Sequence, residues 1–373
     1  MHILFTSAWF PNRNSPQNGD FVQRHAKAVA TKHKVTVLHV EGCNNIKHQE
    51  ISFLHDGNYE ERIVYFPKST SKLINGWRKF RIYNKIANEL RPYELIHTNI
   101  LSIHTLWVLY RRLCHNERFV LSEHWTRYSK ENHQQGRGFW IWVAAVIAKH
   151  AAFIVPVSRS LQEGLEALGI RSRFEVVPNV IDINVFNANG RITSAVPHFL
   201  HVSSCKDAHK NVTGILRVVE KLHAEKYHFK FTIAGSEQPI DLQNLIRERN
   251  LSEVLEILGS LHHCDVATLM KKATCFVLFS NYENQPCVIS EAYACGLPVI
   301  ATKVGGIPEF SPPNFGFLID KGNETQLYQA MLQTIEGHRF ETAEDISAYA
   351  KRTFSVQVIA EAFENIYQKA VTK

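Results

Sequence analysis

The sequence has no apolar run long enough to cross a membrane. A membrane-spanning helix needs about 20 consecutive apolar residues, and the nearest candidate, residues 139–148, is far shorter and contains two tryptophans. The N-terminal segment MHILFTSAWF lacks the basic residues and the cleavage site of a secretion signal, so it predicts a first strand. These absences favour a cytoplasmic protein that is not inserted in a membrane.

Cysteine pairs and metal-binding motifs are also missing. The seven cysteines include no C-x-x-C pair and mostly lie in apolar runs, which is typical of reduced core thiols and not of disulfides or zinc ligands. No D-x-D motif is present, so we expect no divalent cation bridging a diphosphate. No nucleic-acid-binding motif accompanies the basic residues, so a nucleic-acid partner is not expected.

What the chain does have is a repeated alternation of short β-type apolar runs with amphipathic stretches, typical of parallel sheets covered by helices. Strands are expected at 2–6, 34–40, 62–66, 95–98, 118–122 and 152–157, and again at 198–203, 229–235, 254–259, 275–280 and 298–302. The polar segment 184–196 separates the two series. The pattern predicts an α/β protein with two Rossmann-like, doubly wound domains at 1–190 and 191–354 that face a central cleft. A final helix, 355–373, is expected to pack back on the first domain.

Positive charge is concentrated in the first half. The net charge is +7, and residues 1–190 contain 24 Lys and Arg against 15 Asp and Glu. The densest part is 68–85, where basic residues alternate with aliphatic and aromatic ones. One interpretation is a solvated helix face with its apolar side in the core. The other is a surface that meets anionic lipid headgroups or a phosphate-bearing acceptor.

The segment 280–310 carries the most specific pattern. A strand ends, a polar loop follows, and Pro286 opens a helix at a position where its missing N–H costs nothing. The first amides of this helix, including those of Cys287 and Val288, form a site suited to a diphosphate. Two nearby carboxylates, Glu283 and Glu291, can accept hydrogen bonds from sugar hydroxyls. Alternatively, Glu283 is an ordinary loop acid and Glu291 pairs with a lysine.

The surrounding sequence resembles the family 4 glycosyltransferases. E-N-Q-P-C-V-I-S-E fits their E-x7-E motif, and it is followed by their A-C-G-x-P-V-I-A and G-G-x-P-E elements. The resemblance covers nearly the whole chain and includes the Gly-containing first loop, V-S-R-S-L at 157–161, P-N-V-I-D at 178–182 and Lys210. It implies the GT-B fold, with two Rossmann-like domains.

The resemblance also implies roles for individual residues. Glu283 would bind hydroxyls of the donor sugar, Glu291 the ribose of the donor nucleotide, and Lys210 the leaving diphosphate. Backbone at Gly305 and Gly306 would closely approach the base or ribose. In the first domain, Gly19 would bring amides to the donor phosphate or sugar, and Asp20 could cap the following helix. His124 would reach the donor sugar. His97 and His104 also lie near a strand end but rank below His124 as candidates.

The chain departs from the family directly after the strand at 198–203. Most members have an arginine there and a lysine about five residues later, both on the diphosphate. This chain instead has Ser203 and Ser204, with Lys210 following. Either the two hydroxyls donate to the diphosphate, with Lys206 or His209 taking some of the charge, or the diphosphate binds more weakly.

The function expected from the resemblance is transfer of a hexose-type sugar, with retention of configuration, from a UDP- or GDP-linked donor. The acceptor would be a glycan or a lipid-linked molecule in cell-surface polysaccharide synthesis, and peripheral contact with the inner face of the membrane would involve 68–85. No metal or other cofactor is expected. A nucleotide-sugar 2-epimerase and a catalytically inactive nucleotide-sugar-binding protein remain as alternatives.

Overall fold

A computed structural model describes residues 1–130, 138–192, 194–235 and 240–372. The chain divides into two compact units. The first consists of Met1–Val180 together with the C-terminal segment from Val356, and the second is Ile181–Ser355. Within the described residues, no helix combines the length and the apolar character needed to cross a membrane.

The first unit contains a seven-stranded sheet in the order β3-β4-β2-β1-β5-β6-β7, parallel except for the β3–β4 pair. The strands are β1 His2–Ser7, β2 Lys34–Cys43, β3 Glu50–Asp56, β4 Tyr59–Pro67, β5 Leu95–Asn99, β6 Phe119–Glu123 and β7 Phe153–Pro156. The helices are α1 Asp20–Ala30, α2 Lys72–Glu89, α3 Thr105–His115, α4 Phe139–His150 and α5 Arg159–Ala167. Successive residues of a strand point to opposite faces, so Ile3 and Phe5 enter one core and Leu4 the other.

The second unit contains a six-stranded, fully parallel sheet in the order β10-β9-β8-β11-β12-β13. The strands are β8 His198–Ser203, β9 Lys230–Gly235, β10 Leu255–Leu258, β11 Cys275–Leu278, β12 Val299–Thr302 and β13 Gly316–Ile319. The helices are α6 Asp207–Lys210, α7 Val212–Ala224, α8 Ile240–Glu248, α9 His263–Lys272, α10 Cys287–Ala294, α11 Glu324–Ile335 and α12 Ala343–Phe354. The α/β class and the eleven predicted strands are confirmed, whereas β3 and β13 were not predicted.

The division between the units lies at 180/181, ten residues before the expected boundary. The cause is local bonding, because the Ile181 amide donates to the Phe354 carbonyl (2.9 Å) and Phe186 is buried in a core of the second unit. The last helix, α13 Val356–Thr372, lies in the first unit. Its apolar positions, among them Phe363 and Tyr367, enter the same core as residues of α1.

Candidate functional site

Helix α10 begins at the carboxyl edge of the second sheet, after the loop that follows β11. Pro286 is the N-cap residue (φ −72°, ψ 121°), and Cys287 is the first helical residue. Helix geometry gives the amides of the first turn, including that of Val288, no acceptor within the helix. Together with the positive end of the helix dipole, these amides make the start of α10 suitable for an anionic group.

Lys210 and Glu283 lie 73 positions apart in the sequence but form an ion pair. Lys210 ends the short helix that follows β8, and Glu283 lies in the loop after β11, the neighbouring strand. The Ser280 hydroxyl also donates to the Glu283 carboxylate (2.8 Å). The side chains of Lys210 and Glu283 are 18% and 10% exposed. The fold therefore brings two of the predicted site residues into direct contact at one edge of the sheet.

Asn281 fixes the position of this loop. Its amide donates to the His209 carbonyl (2.7 Å), and its side-chain Nδ2 donates to the Ala208 carbonyl (3.1 Å). The rings of His209 and Tyr282 meet edge to face, with centroids 5.2 Å apart. Sequence reasoning missed Asn281. Asparagine in a loop commonly hydrogen-bonds to nearby backbone. The sequence gives no sign that the backbone partners of Asn281 lie in the helix that follows β8.

The two glycines at 305 and 306 hold the same loop. Gly305 has φ +53°, and a Cβ on it would lie 1.7 Å from the Glu283 carbonyl oxygen. The Gly306 amide donates to the Asn284 carbonyl (2.7 Å). The close approach of Gly305 is thus to the protein's own backbone, which accounts for glycine there. Contact of either glycine with a base or ribose stays a prediction.

Glu291 lies within α10 and is 3% exposed. The preceding residue, Ser290, accepts a hydrogen bond from Gln285 Nε2 (2.8 Å), which ties the helix to the loop. Burial of a carboxylate is costly unless partners compensate for it. The predicted contact of Glu291 with a ribose stays a prediction, as do the ligand contacts of Pro286, Cys287 and Val288.

The two serines after β8 differ in their surroundings. The Ser203 hydroxyl accepts from the Cys205 amide (2.9 Å) and bonds to His201 Nε2 (2.7 Å), so it helps to close a turn. Burial lowers the pKa of His201 to about 4, which keeps this imidazole neutral. Ser204 is half-buried, and its hydroxyl makes no hydrogen bond to any described residue. Of the two candidates, Ser204 therefore has the hydroxyl left to donate to a ligand.

In the first unit, Gly19 is the N-cap residue of α1 and has φ +73°. A Cβ there would lie 2.4 Å from the Trp9 carbonyl oxygen, so the close approach again involves the protein's own chain. The expected capping by Asp20 is wrong. Asp20 is the first residue inside the helix, where its carboxylate pairs with Arg24 (2.8 Å), an i,i+4 pair.

His124 directly follows β6 and is 9% exposed. Its ring packs against those of Phe21 (centroids 4.6 Å apart) and His25 (5.4 Å). Burial keeps the pKa of His124 well below the ordinary value, so the ring is neutral. Because Phe21 lies in the first turn of α1, the structure places His124 beside the helix that begins after Gly19.

Glu123 positions His124, and sequence reasoning missed this role. The buried carboxylate accepts from the amides of Leu101 (2.7 Å), His124 (2.8 Å) and Trp125 (2.7 Å). Burial raises the pKa of Glu123 to about 7, although the hydrogen bonds from the three amides lower it. The only sequence signal was an acidic residue at the end of an apolar strand.

His97 and His104 are held within the first unit at both ring nitrogens. His97 bonds to Tyr367 and to Ser122 Oγ (2.8 Å), and His104 bonds to the hydroxyls of Thr98 and Ser102. Burial lowers the pKa of His104 to about 3. These contacts give both histidines a structural role.

The basic segment 68–85 consists mostly of α2. Residues Tyr83, Ile86 and Ala87 of this helix are buried, but Leu73 is 86% exposed and Trp77 is 58% exposed. Arg81 lies over the Trp77 ring, 4.7 Å from its centroid. The first half of α2 thus presents apolar and basic side chains together at the surface, so its apolar residues do not all face the core.

The chain has the GT-B fold of glycosyltransferases. It superposes over 99% of its length on sucrose-phosphate synthase from Thermosynechococcus elongatus, covering 98% of that chain, with a TM-score of 0.80 and 18% identity. It also superposes over 99% of its length on the Anabaena protein HepE in complex with UDP, covering 100% of that chain, with a TM-score of 0.74 and 18% identity.

The chain belongs to the family 4 glycosyltransferases. Residues 20–185 match the family described as Glycosyltransferase Family 4, and residues 192–353 match Glycosyl transferases group 1. The gpi3 subunit of phosphatidylinositol N-acetylglucosaminyltransferase from Schizosaccharomyces pombe is 28% identical over 57% of this chain and 48% of its own length. N-acetyl-alpha-D-glucosaminyl L-malate synthase from Bacillus anthracis is 25% identical over 57% of this chain and 58% of its own length. The matches thus span about half the length of these curated relatives.

Proposed function

We propose that this protein transfers a hexose-type sugar from a nucleotide-linked donor to a glycan or lipid-linked acceptor, with retention of configuration. The observation that carries the proposal is the contact between Lys210 and Glu283 at the carboxyl edge of the second sheet, where α10 also begins. A cation, a carboxylate and a helix N-terminus at the same edge can bind the diphosphate and the hydroxyls of a nucleotide-sugar.

The chemistry requires stabilisation of the leaving group. Breaking the bond between the anomeric carbon and the phosphate oxygen leaves negative charge on the diphosphate and positive charge on the sugar. Lys210 and the first-turn amides of α10 would stabilise the diphosphate, and Ser204 would donate a further hydrogen bond in place of the absent arginine. Glu283 would accept from sugar hydroxyls once Lys210 turns to the phosphate. These groups would act without a metal ion, so activity is expected to survive EDTA.

The relatives support UDP and an N-acetylhexosamine as the first donor components to test. HepE is described in complex with UDP, and the names of the two curated relatives both contain an N-acetylglucosaminyl group. One of them is named for phosphatidylinositol, which supports a lipid-linked acceptor. A GDP-linked donor is the second choice, and cell-surface polysaccharide synthesis is the setting that we propose.

Contact with an anionic membrane through 68–85 accompanies this proposal. A helix that exposes Leu73 and Trp77 beside several cations suits the boundary between lipid headgroups and acyl chains. A groove of about 550 Å³ lies beside α2, and Trp77, Phe80 and Arg81 are among its lining residues. Such a surface would keep the protein near a lipid-linked acceptor at the inner face of the membrane.

The first experiment is a thermal-shift panel of UDP, GDP, ADP and CDP with EDTA present. A ligand that binds only the folded state raises its stability by RT ln(1 + [L]/Kd), so we expect a shift with UDP or, failing that, with GDP. The matching nucleotide-sugars are then incubated with lipid extracts and oligosaccharides, and the products are analysed for transfer and anomeric configuration.

Other outcomes would contradict the proposal. No shift with any nucleotide would contradict the assignment of the site at Lys210 and Glu283. Conversion of the donor to a second nucleotide-sugar without an acceptor would identify an epimerase. Binding without turnover across all acceptors, by a well-folded protein, would instead indicate a nucleotide-sugar-binding protein.

A further inference from the structure

A second pocket lies at the opposite edge of the first sheet from His124. It has a volume of about 660 Å³ and is formed where β6 and β7 begin and where α3, α4 and α13 end. His124 follows the carboxyl end of β6, whereas Arg118 and Phe119 of the pocket lie at its amino end. The length of β6 separates the two places, so this pocket is not part of the site already described.

The lining of the pocket is strongly basic. Its cations are Arg112, Arg118, Lys149, Arg171, Arg173 and Lys369. No lining residue in the described part of the chain is acidic, and the nearest ion pair joins Lys369 to Glu175 (2.9 Å). Like unit charges about 8 Å apart repel by about 0.5 kcal/mol even in water. Lys369 is therefore already paired, and mutual repulsion among the other five cations favours the binding of an anion.

Helix ends explain some of these cations but not all. Arg112, Lys149 and Lys369 lie in the last turns of their helices, where a cation is favourable. Arg118 donates to the carbonyls of α13, including that of Ala370 (2.9 Å). Arg171, however, belongs to no helix.

Three cations remain available for a ligand. The side chains of Lys149 and Arg171 make no hydrogen bond or ion pair to residues that the structure describes, and both residues are exposed. Arg173 lies over Phe153, 5.5 Å from its ring centroid, and its guanidinium makes no hydrogen bond or ion pair to the described residues. Lys149, Arg171 and Arg173 thus form a group whose charge the surrounding protein does not neutralise.

We propose that this basic pocket binds a small anion that carries at least two phosphate groups. A guanidinium group can bind two oxygens of one phosphate at once. Three unneutralised cations carry more positive charge than a single phosphate group would balance. The volume lies in the range of small-molecule sites. Two rings lie among the described lining residues: Phe119 is fully buried and offers no face for stacking a base, and His150 is half-buried at the end of α4. The phosphates come either from a soluble molecule or from a phosphorylated lipid headgroup.

The test is isothermal titration calorimetry, in which sodium tripolyphosphate is titrated into the full chain at low salt. The pocket variant is Lys149→Gln, Arg171→Gln, Arg173→Gln. Two controls remove charge elsewhere, one at α2 (Arg78→Gln, Arg81→Gln, Lys85→Gln) and one at the donor site (Lys210→Met). Each cation that contacts phosphate contributes about tenfold in affinity. We expect the pocket variant to bind at least about a hundredfold more weakly, and the controls to keep a site of wild-type affinity.

A pocket variant that melts like the wild type yet binds tripolyphosphate equally well would overturn the proposal. So would a wild-type protein whose tripolyphosphate binding disappears in Lys210→Met. The source of the phosphates is tested with phosphatidylcholine vesicles containing either phosphatidylinositol 4,5-bisphosphate or phosphatidylserine at matched charge. Loss of only the bisphosphate-dependent binding in the pocket variant would support a headgroup. Vesicle binding unchanged in that variant, with tripolyphosphate binding lost, would support a soluble ligand.

Discussion

The carboxyl edges of the two sheets hold polar residues in different ways. In the second unit, a cation and a carboxylate, Lys210 and Glu283, contact each other while keeping some exposure. In the first unit, the neutral ring of His124 packs against Phe21 and His25. The Glu123 carboxylate accepts hydrogen bonds from three backbone amides. The second edge therefore offers charge to a ligand, whereas the first uses its charge to hold its own backbone.

This difference shows how the same type of sheet can serve two purposes. Charges that pair with each other near the surface can exchange partners when a ligand arrives. A charge that accepts hydrogen bonds from buried backbone amides cannot exchange partners without loss of structure. Changes at the second edge should therefore reduce turnover, whereas changes at the first edge should also reduce stability.

The largest expected effect is on turnover at Glu283. In Glu283→Gln, the neutral amide accepts hydrogen bonds from sugar hydroxyls more weakly than a carboxylate does. We expect kcat to fall by about 10²–10³-fold, the usual loss when one group that acts in the transition state is removed. Nucleotide binding should persist. The measurement is steady-state transfer, with Glu256→Gln on the exposed part of β10 as the control. A wild-type kcat in Glu283→Gln would contradict the claim that the second edge presents its charges to the substrate.

A somewhat smaller effect is expected at Gly305. An alanine there must adopt φ +53° and place its Cβ 1.7 Å from the Glu283 carbonyl, so the loop must move. We expect the free energy of unfolding to fall by about 3 kcal/mol, with weaker nucleotide binding. Gly322→Ala is the matched control, because Gly322 has φ +71° and no atom near its added Cβ. That control should cost about 1 kcal/mol, as measured by urea unfolding. Equal losses in both variants would mean that Gly305 does not hold the loop.

The two edges should also respond differently to acid. Burial lowers the pKa of His25 to about 4, and the unfolded chain titrates near 6.5, so unfolded protein binds more protons below that pH. Stability is therefore lost as the pH falls from about 6.5 towards 4, by roughly 2 kcal/mol at about pH 5 for His25 alone.

The same sign applies to His97, His104 and His124 of the first unit and, in the second unit, to His201, so the first unit holds more such histidines; Glu123, whose pKa is raised to about 7, acts in the opposite direction. Hydrogen exchange at about pH 7 and about pH 5 should show greater loss of protection in 1–180 than in 181–355. His25→Gln should reduce the difference. Equal loss in the two units would contradict this account.

The smallest effect concerns the membrane. Replacing Trp77 with Gln removes an exposed aromatic side chain from α2, and we expect binding to anionic vesicles to fall by about tenfold. Ile192→Gln, at an exposed position of the second unit, should leave binding unchanged. Vesicle flotation provides the measurement. No preference of the wild type for anionic lipid would remove the membrane proposal.

Most of the fold could be predicted because strand and helix periods are local in the sequence. The two missed strands show the limit. Every residue of β3 is exposed at a sheet edge, so it lacks the buried period-two pattern on which a strand prediction depends. The other missed strand, β13, has only four residues, of which Ile319 alone is buried.

The candidate site was predictable in its residue types but not in its contacts. The family motifs pointed to Lys210 and Glu283, yet their ion pair depends on the adjacency of β8 and β11. The same holds for Ser203, whose hydroxyl is occupied by His201 and Cys205, while Ser204 is not. Such distinctions depend on three-dimensional neighbours that no local spacing specifies.

The central claim is that the second unit holds the donor diphosphate through Lys210. The most direct test is isothermal titration of UDP, with EDTA present, into the wild type, Lys210→Met and a control, Lys230→Met, at the amino end of β9. A charge-assisted contact to phosphate predicts about tenfold or greater weakening for Lys210→Met alone. Equal UDP affinity in all three proteins would contradict the claim.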